Sequence, residues 1–480
     1  MQRKQFYATQ LMKLSFQALM YLFLFLTYFG MLSITNSAIL NLSRTAAATM
    51  ATFFCSMLLL TAVYGGYDID IKKKRTVFAS VSLSTLFTDV ITYIILQIMN
   101  TNPNNPEANA TLTLFSEDLA LMGGAFILQL GIIYLCVSLG YSVYFRINPP
   151  QDCCIITSSQ ELARHVASKL STHKRKYKLT DVVHYECADV RKTILEHEVI
   201  FLAGIPDTEE ALLQSYGYKH NKTIYLLAEL EDVIISTAQP TILDDTPFLY
   251  IHRVQPTLFQ LFAKRACDIC ISLVGLIIAS PIMLVTALVL KASGNGSVLF
   301  KQKRATLNGT VFEIIKFRTM YEDAANVSAR QDDDRVTPVG KFLRKYRIDE
   351  LPQLFNVLRG EMSLVGPRPE MLENVDRYTR EVPEFRYRQQ MKAGLTGLAQ
   401  IEGKYNTSPK DKAILDLMYI ESFSLAHDFK LMLRTLTIFF RRDSTEGFGI
   451  KIVDCPEMRV EPARRGKASA KQQQPMSAAM

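Results

Sequence analysis

The stretch RIDELPQLFNVLRGEMSLVGPRPE, Arg347 to Glu370, sets two acids side by side, Asp349 and Glu350. Pro352 follows closely, Arg344 and Arg347 come before the pair, and Arg359 and Arg368 come after it. Adjacent side chains on a helix diverge by about 100°, so the two carboxylates can share one ligand only near a helix start, where the backbone is splayed. An Asp ahead of a helix with Glu in its first turn is also an ordinary start signal, because the acid caps free N–H groups and meets the positive helix end. What lifts DELP above that reading is the surrounding charge: Lys301, Lys303 and Arg304, then Lys316 and Arg318 in KFRTM, then Arg344 and Arg347, then Arg368 in GPRP. Guanidinium forks bind phosphate bidentately. Two carboxylates amid such positive charge are expected to stay ionised, so one can attack phosphorus while the other holds Mg2+ against a diphosphate. No competing chemistry is written elsewhere: the seven histidines show no metal-ligand spacing, and neither GxSxG nor a GKS/GKT phosphate loop occurs.

The elements that must position these groups belong to a chain of mixed character. Its 480 residues exceed one ordinary core, 49% of them are hydrophobic with no Trp, and 21% are charged, at a mean hydropathy of +0.09. The charges are segregated: sparse at first, dense after about residue 150, with a formal net charge of +8. A basic soluble part favours phosphate-rich partners, namely nucleic acid, a sugar nucleotide or an anionic membrane surface. Cys55 and Cys136 lie in apolar runs, and Cys267-Asp-Ile-Cys270 is a CxxC without a second pair, so the eight cysteines read as reduced thiols in contact with a reducing cytosol.

Four apolar runs, Leu14 to Ile34, Ala46 to Tyr64, Val77 to Met99 and Leu119 to Tyr144, each approach the ~20 residues that span a bilayer. Three further runs follow the first, which also lacks a cleavage site, so it is expected to stay attached. Arg3, Lys4 and Lys13 precede the first run and IKKKR, Lys72 to Arg75, joins the second to the third, which puts those loops in the cytosol and returns the chain there at Asn148. From Asp152 to His252 short apolar runs (CCIIT, VIFLAG, TIYLLA, PFLYIH) alternate with helical patterns, the rhythm of parallel strands with crossover helices. The first turn, in CIITSSQELARHV, holds no glycine, so a structural module is expected in preference to a dinucleotide site.

A fifth apolar stretch, Ile269 to Leu290, is long enough to cross, yet a fifth crossing would export the cations beyond Lys291. Pro281 removes one helical hydrogen bond and Ser280 can satisfy the freed carbonyl, so a sharp break and a re-entrant hairpin are expected. Lys264, Arg265 and Lys291 then lie at the headgroups. The last stretch, RVEPARRGKASAKQQQPMSAAM, is polar and basic and reads as disordered.

The runs KRACDICISLVGLIIASP, LFKQKRATLNGTVFEIIKFRTM, DDRVTPVGKFLRKYRIDELPQLFNVLRGEMSLVGPRPE and GLTGLAQIEGKYN, in that order from about Phe262 to Asp443, resemble the bacterial sugar transferases. These are the polyprenyl-phosphate hexose-1-phosphate transferases, or monotopic phosphoglycosyl transferases. The preceding spans and α/β module resemble the long-form members, such as undecaprenyl-phosphate glucose or galactose phosphotransferases. The resemblance implies that Asp349 attacks the sugar-bearing phosphorus of a UDP-hexose, expels UMP and forms a phosphosugar-aspartate, which undecaprenyl phosphate then resolves. It implies that Glu350 binds Mg2+, that Lys316, Arg318, Arg344, Arg347, Arg368 and Lys404 bind substrate, and that Ser280 and Pro281 make the membrane break. Two departures stand out: Ala393 replaces the familiar proline after a basic residue, and Lys404 replaces an arginine, keeping charge but losing the planar fork.

The expectation is therefore a multidomain protein of a bacterial inner membrane, multi-pass, with its catalytic domain on the cytoplasmic face. Residues 1–148 form a bundle of four transmembrane helices and 149–256 a cytosolic Rossmann-like α/β module. Residues 257–458 form a mostly helical catalytic domain with the re-entrant helix near 264–291, and 459–480 a basic tail. It starts a lipid-linked exopolysaccharide, capsule or O-antigen glycan; nucleic acid is not a partner, and a homo-oligomer is left open. Two other classes compete: a non-catalytic membrane scaffold or sensor using the α/β module, and a membrane phosphatase using Asp349.

Overall fold

The long apolar runs become helices because a chain without water around it must satisfy every backbone group within its own segment. In the computed structural model, which describes residues 2–35, 44–100, 112–294, 296–321, 333–403, 407–437 and 455–460, they are α1 (Gln2–Leu32), α2 (Arg44–Tyr64), α3 (Lys74–Asn100) and α4 (Leu112–Ile147). With a fifth helix, Leu258–Ala292, these are long and apolar enough to cross a membrane by length and composition. Tyr28, Phe53, Met57 and Ile133 are fully buried among the first four, while Leu58, Ile98 and Ile127 face outward. In the basic loop after α2, Lys72 Nζ donates to the carbonyls of Tyr64 and Gly65 at 3.0 and 2.8 Å, a cation on the negative end of α2.

The α/β module holds β1 (Gln151–Thr157), α5 (Gln160–Leu170), β2 (Tyr177–His184), α6 (Val190–Glu196), β3 (Val199–Ala203), α7 (Asp207–Lys219) and β4 (Thr223–Leu226). The strands form one parallel sheet in the order β2-β1-β3-β4, with Ile155, Ile156, Val183 and Ile200 buried, as a sheet covered on both faces requires. Beside the first turn, a Cβ on Gly204 would lie 2.4 Å from Leu162 Cδ1, so a leucine fills the space where a glycine-lined pyrophosphate loop would open. The compact unit comprises Phe145–Leu227 together with the described residues 455–460, because the chain returns to it late. Arg459 N–H donates to the Val182 carbonyl at 2.9 Å, the Arg459 carbonyl accepts from His184 N–H at 3.0 Å, and its guanidinium meets Asp181 at 2.6 Å. Arg459, expected to begin a disordered tail, is thus pinned on both its backbone and its side chain; residues 461–480 lie outside the described residues.

The second unit takes residues 1–144 and 228–449. It holds α8 (Leu230–Ser236) and a two-stranded antiparallel hairpin of β5 (Gln239–Leu243) and β6 (Thr246–Tyr250). PFLYIH was expected to be a parallel strand, and it pairs antiparallel. Asp244-Asp245 closes a two-residue turn with Asp244 at φ 59°, which leaves no length for a crossover helix. After α9 (Leu258–Ala292) come the antiparallel pair β7 (Leu299–Ala305) and β8 (Val311–Phe317), then α10 (Pro338–Lys345), α11 (Gln353–Arg359) and β9 (Ser363–Val365). The unit continues through α12 (Leu372–Glu381), β10 (Gly394–Thr396, parallel to β9), α13 (Leu398–Glu402), α14 (Pro409–Glu421) and α15 (Leu425–Thr435). Phe312, Ile314, Leu354, Val357, Leu364, Tyr419 and Leu431 form its core, giving a mostly helical unit with small sheets.

α9 starts on a capping box: Gln260 N–H donates to Thr257 Oγ1 and Thr257 N–H to Gln260 Oε1. Pro281 was expected to split it into two limbs, and instead lies inside one continuous helix. The Ser280 hydroxyl donates at 2.8 Å to the Ile277 carbonyl, the acceptor that Pro281 leaves without an N–H, so helical bonding is restored at the joint. Both ends of α9 are fastened to the same unit: Lys264 Nζ donates to the Val365 carbonyl at 2.9 Å, and Arg318 Nη2 donates to the Leu290 carbonyl at 3.2 Å. Between them Ile277, Ile278, Leu284 and Val285 are exposed.

Candidate active site

The site is assembled where three elements converge. β8 carries Lys316. α10, capped by the Thr337 hydroxyl accepting from Gly340 N–H at 2.9 Å with Pro338 in its first turn, carries Arg344. α10 presses so closely on the end of β8 that a Cβ on Gly340 would lie 2.0 Å from the Thr319 carbonyl oxygen; there Arg344 Nε donates to Thr319 Oγ1 at 2.9 Å. The chain then reverses through Arg347, a non-glycine residue at φ 54°, ψ 23°, a conformation that costs about 1–2 kcal/mol. The reversal opens a 3-10 turn, Ile348–Glu350, ahead of α11, so the acid pair sits at a splayed helix start as the sequence required.

The two neighbouring carboxylates have opposite surroundings. Glu350 Oε1 accepts from Arg368 Nη2 at 2.8 Å and from Lys316 Nζ at 3.3 Å, while its Oε2 lies 3.5 Å from Arg347 Nη1. Burial opposes its charge, yet Arg368, Lys316 and Arg347 together hold it well below the usual carboxylate range. Asp349 is buried, and among the described residues nothing hydrogen-bonds its carboxylate. Burial and the adjacent Glu350 charge push it up to about 6 against the pull of Lys316, Arg344 and Arg368.

A third acid, Glu370, extends the cluster. Burial would raise it, but Lys412, Arg388, Arg368 and Arg304 hold it below its ordinary value. Arg388, paired with Asp416 at 2.7 Å, donates to the Arg368 carbonyl at 2.7 Å and so fixes the backbone that aims Arg368. A cleft lined by Thr306, Pro367, Arg368, Glu370, Arg388 and Met391 opens beside them. Burial lowers Arg304 to about 10, and its Nε has no partner among the described residues.

Of the residues singled out from the sequence, Asp349, Glu350, Lys316, Arg347 and Arg368 are brought together, with Arg344 acting on Asp349 through its charge. Arg318 is not in this cluster: it is buried at the end of α9 on the Leu290 carbonyl. Ser280 and Pro281 lie within α9, and Lys404 lies outside the described residues. Ala393, the departure from proline, keeps an amide that donates to Thr306 Oγ1 at 3.0 Å, a bond proline could not make. Glu370, Arg388 and Gln353 escaped sequence reasoning. Gln353 is buried with Nε2 unpartnered, and its place one helical turn after Asp349 is the signal that could have found it. Of the two Glu350 oxygens, Oε2, with only Arg347 Nη1 at 3.5 Å, is the less engaged.

The arrangement, a free carboxylate beside a cation-held one, suits transfer of a phosphoryl group, and similarity to known proteins agrees. The profile of the bacterial sugar transferase family matches residues 259–442. The chain is 42% identical over 189 residues to a UDP-glucose:undecaprenyl-phosphate glucose-1-phosphate transferase of Caulobacter vibrioides, covering 38% of this chain and 71% of that protein. It is 41% identical over 202 residues to a UDP-N-acetylgalactosamine-undecaprenyl-phosphate N-acetylgalactosaminephosphotransferase of Aeromonas hydrophila, covering 41% of this chain and 47% of that one. It is 37% identical over 192 residues to the exopolysaccharide production protein ExoY of Sinorhizobium fredii, covering 36% and 84%. The chain belongs to the bacterial sugar transferase family. It is an enzyme of the phosphotransferase class, and its first 258 residues precede the matched region.

Proposed function

We propose that the protein transfers a hexose-1-phosphate from a UDP-sugar to undecaprenyl phosphate at the cytoplasmic leaflet of a bacterial inner membrane. An Asp349 carboxylate oxygen attacks the phosphorus that bears the sugar, the bridging P–O bond breaks, and UMP leaves. A phosphate oxygen of undecaprenyl phosphate then attacks the same phosphorus and displaces Asp349, giving the lipid diphosphate sugar that starts a glycan chain. The observation that carries this reading is the contrast between Asp349, without a hydrogen-bond partner among the described residues, and Glu350, held by three cations. A carboxylate pushed up to about 6 is still mostly ionised near neutrality and is more basic than an ordinary one, which suits a nucleophile.

Lys316 and Arg368 lie within reach of Asp349's charge and are the groups that would meet the diphosphate; Glu350 keeps them in place. The free Nε2 of Gln353 is a donor for a phosphoryl oxygen. Mg2+ bound at Glu350 would neutralise the diphosphate charge. Both ends of α9 are held on the catalytic unit and the apolar residues between them are exposed, which supports a helix that brings this unit to the leaflet carrying the lipid acceptor. The test is transfer from a panel of radiolabelled UDP-sugars to undecaprenyl phosphate with UMP measured, with and without chelator, and mass spectrometry of enzyme trapped without acceptor. Product formation with Asp349 unmodified in the trapped enzyme overturns the mechanism.

A further inference from the structure

Asp89 lies near the middle of α3 and Gln129 near the middle of α4, and their exposures are 2% and 0%. Ionisable groups at such depth are kept only where they are paired or functional. Gln129 Nε2 donates to Asp89 Oδ1 at 3.3 Å and to the Leu24 carbonyl of α1 at 3.2 Å, so both its hydrogens are used and the amide cannot be turned round. That leaves Asp89 Oδ2 and Gln129 Oε1, both buried and both without a partner among the described residues.

The neighbours do not resolve this. The Tyr28 hydroxyl of α1 donates to the Asp89 backbone carbonyl at 2.9 Å, and the Thr88 hydroxyl turns to Met57 Sδ of α2 at 3.7 Å. On α3, the Thr85 hydroxyl donates to the Val81 carbonyl at 2.9 Å, and the Thr92 oxygen is buried without a partner. Asp118 is taken up separately by Tyr93 at 3.1 Å and Gln97 at 3.3 Å. Among the described residues no Lys, Arg or His ion-pairs with Asp89.

Two bare acceptors in one buried pair are a defect unless something stands between them. We infer that Asp89 carries a proton there, so that Oδ2–H donates to Gln129 Oε1 and the two side chains close a carboxylic acid–carboxamide ring. The pair is then a neutral proton-binding site that ties α3 to α4 and, through Leu24, to α1. The proton comes from water as the chain inserts, and no carboxylate is left bare in the bundle.

The test uses the full chain in lipid nanodiscs and does not depend on its transferase activity. An infrared difference spectrum of wild type minus Asp89→Asn is expected to show a protonated-carboxyl C=O band at neutral pH. Asp89→Asn, which can rebuild the ring with its amide, is expected to melt with wild type, while Asp89→Ala and Gln129→Ala melt lower. Melting is expected to be the same with and without sodium. A missing band, an Asn variant as unstable as the Ala variant, Ala variants as stable as wild type, or stability that rises with sodium each overturns the inference, the last by putting a cation between the oxygens. Should Asp89→Ala fail to fold, the band and Gln129→Ala decide.

Discussion

In the α/β module buried polar groups close on one another. His197 Nδ1–H donates to the Thr193 carbonyl at 2.8 Å, and its Nε2 lies 2.8 Å from the Thr180 hydroxyl and 3.1 Å from the Asp181 carboxylate. Burial pushes the Cys153 and Cys154 thiols up to about 12, which leaves them unreactive. Around Asp349 the groups do not close: one carboxylate takes three cations, its neighbour takes none by hydrogen bond, and Gln353 and Arg304 keep free donors. Both regions are buried, so burial alone does not mark chemistry. A surplus of unmet donors around an unmet acceptor does.

That contrast can be broken most severely at the nucleophile. Asp349→Asn is expected to lose on the order of 10^4-fold in UMP release while the protein keeps its wild-type melting profile. Full turnover would place Asp349 with the self-satisfied groups of the module. Next comes Arg368→Ala, expected to slow turnover on the order of 10^2-fold, with Lys at that position recovering only part because the planar fork is gone; steady-state kinetics check this. The pH profile sharpens the comparison. Because Asp349 is pushed up to about 6, protonation removes the attacking form as pH falls through that value, so turnover should drop about tenfold per pH unit below it and level off above. Glu350, shifted the other way, stays ionised across that window and should add no second limb. The smallest effect belongs to the module: Arg459→Ala should lower its stability by about 1 kcal/mol or less, since its pair with Asp181 is half exposed, and should leave turnover unchanged.

The apolar spans and the acid pair with its cations could be read from the sequence because each rests on local pattern, either a run of about 20 apolar residues or a charge motif within a few turns. What stayed hidden depended on contacts between distant segments. PFLYIH has the composition of any buried strand, and only pairing with β5 across Asp244-Asp245 makes it half of a hairpin. Arg318 looked like a phosphate ligand by type, but a helix end within reach claimed it. Arg388 gave no sign of its role because that role runs through the backbone of Arg368. Ser280 was legible, since proline and its freed carbonyl are local; the continuity of the helix across them was not.

The late return of residues 455–459 to β2 orders events during synthesis. β2 is an edge strand of its sheet, and the segment that covers it emerges from the ribosome only after every residue of the catalytic unit. Until then the nascent module presents an unpaired strand flank, the kind of surface that invites wrong pairing. A nascent chain halted near residue 450 should therefore be cut by protease within 145–227 far faster than the released protein.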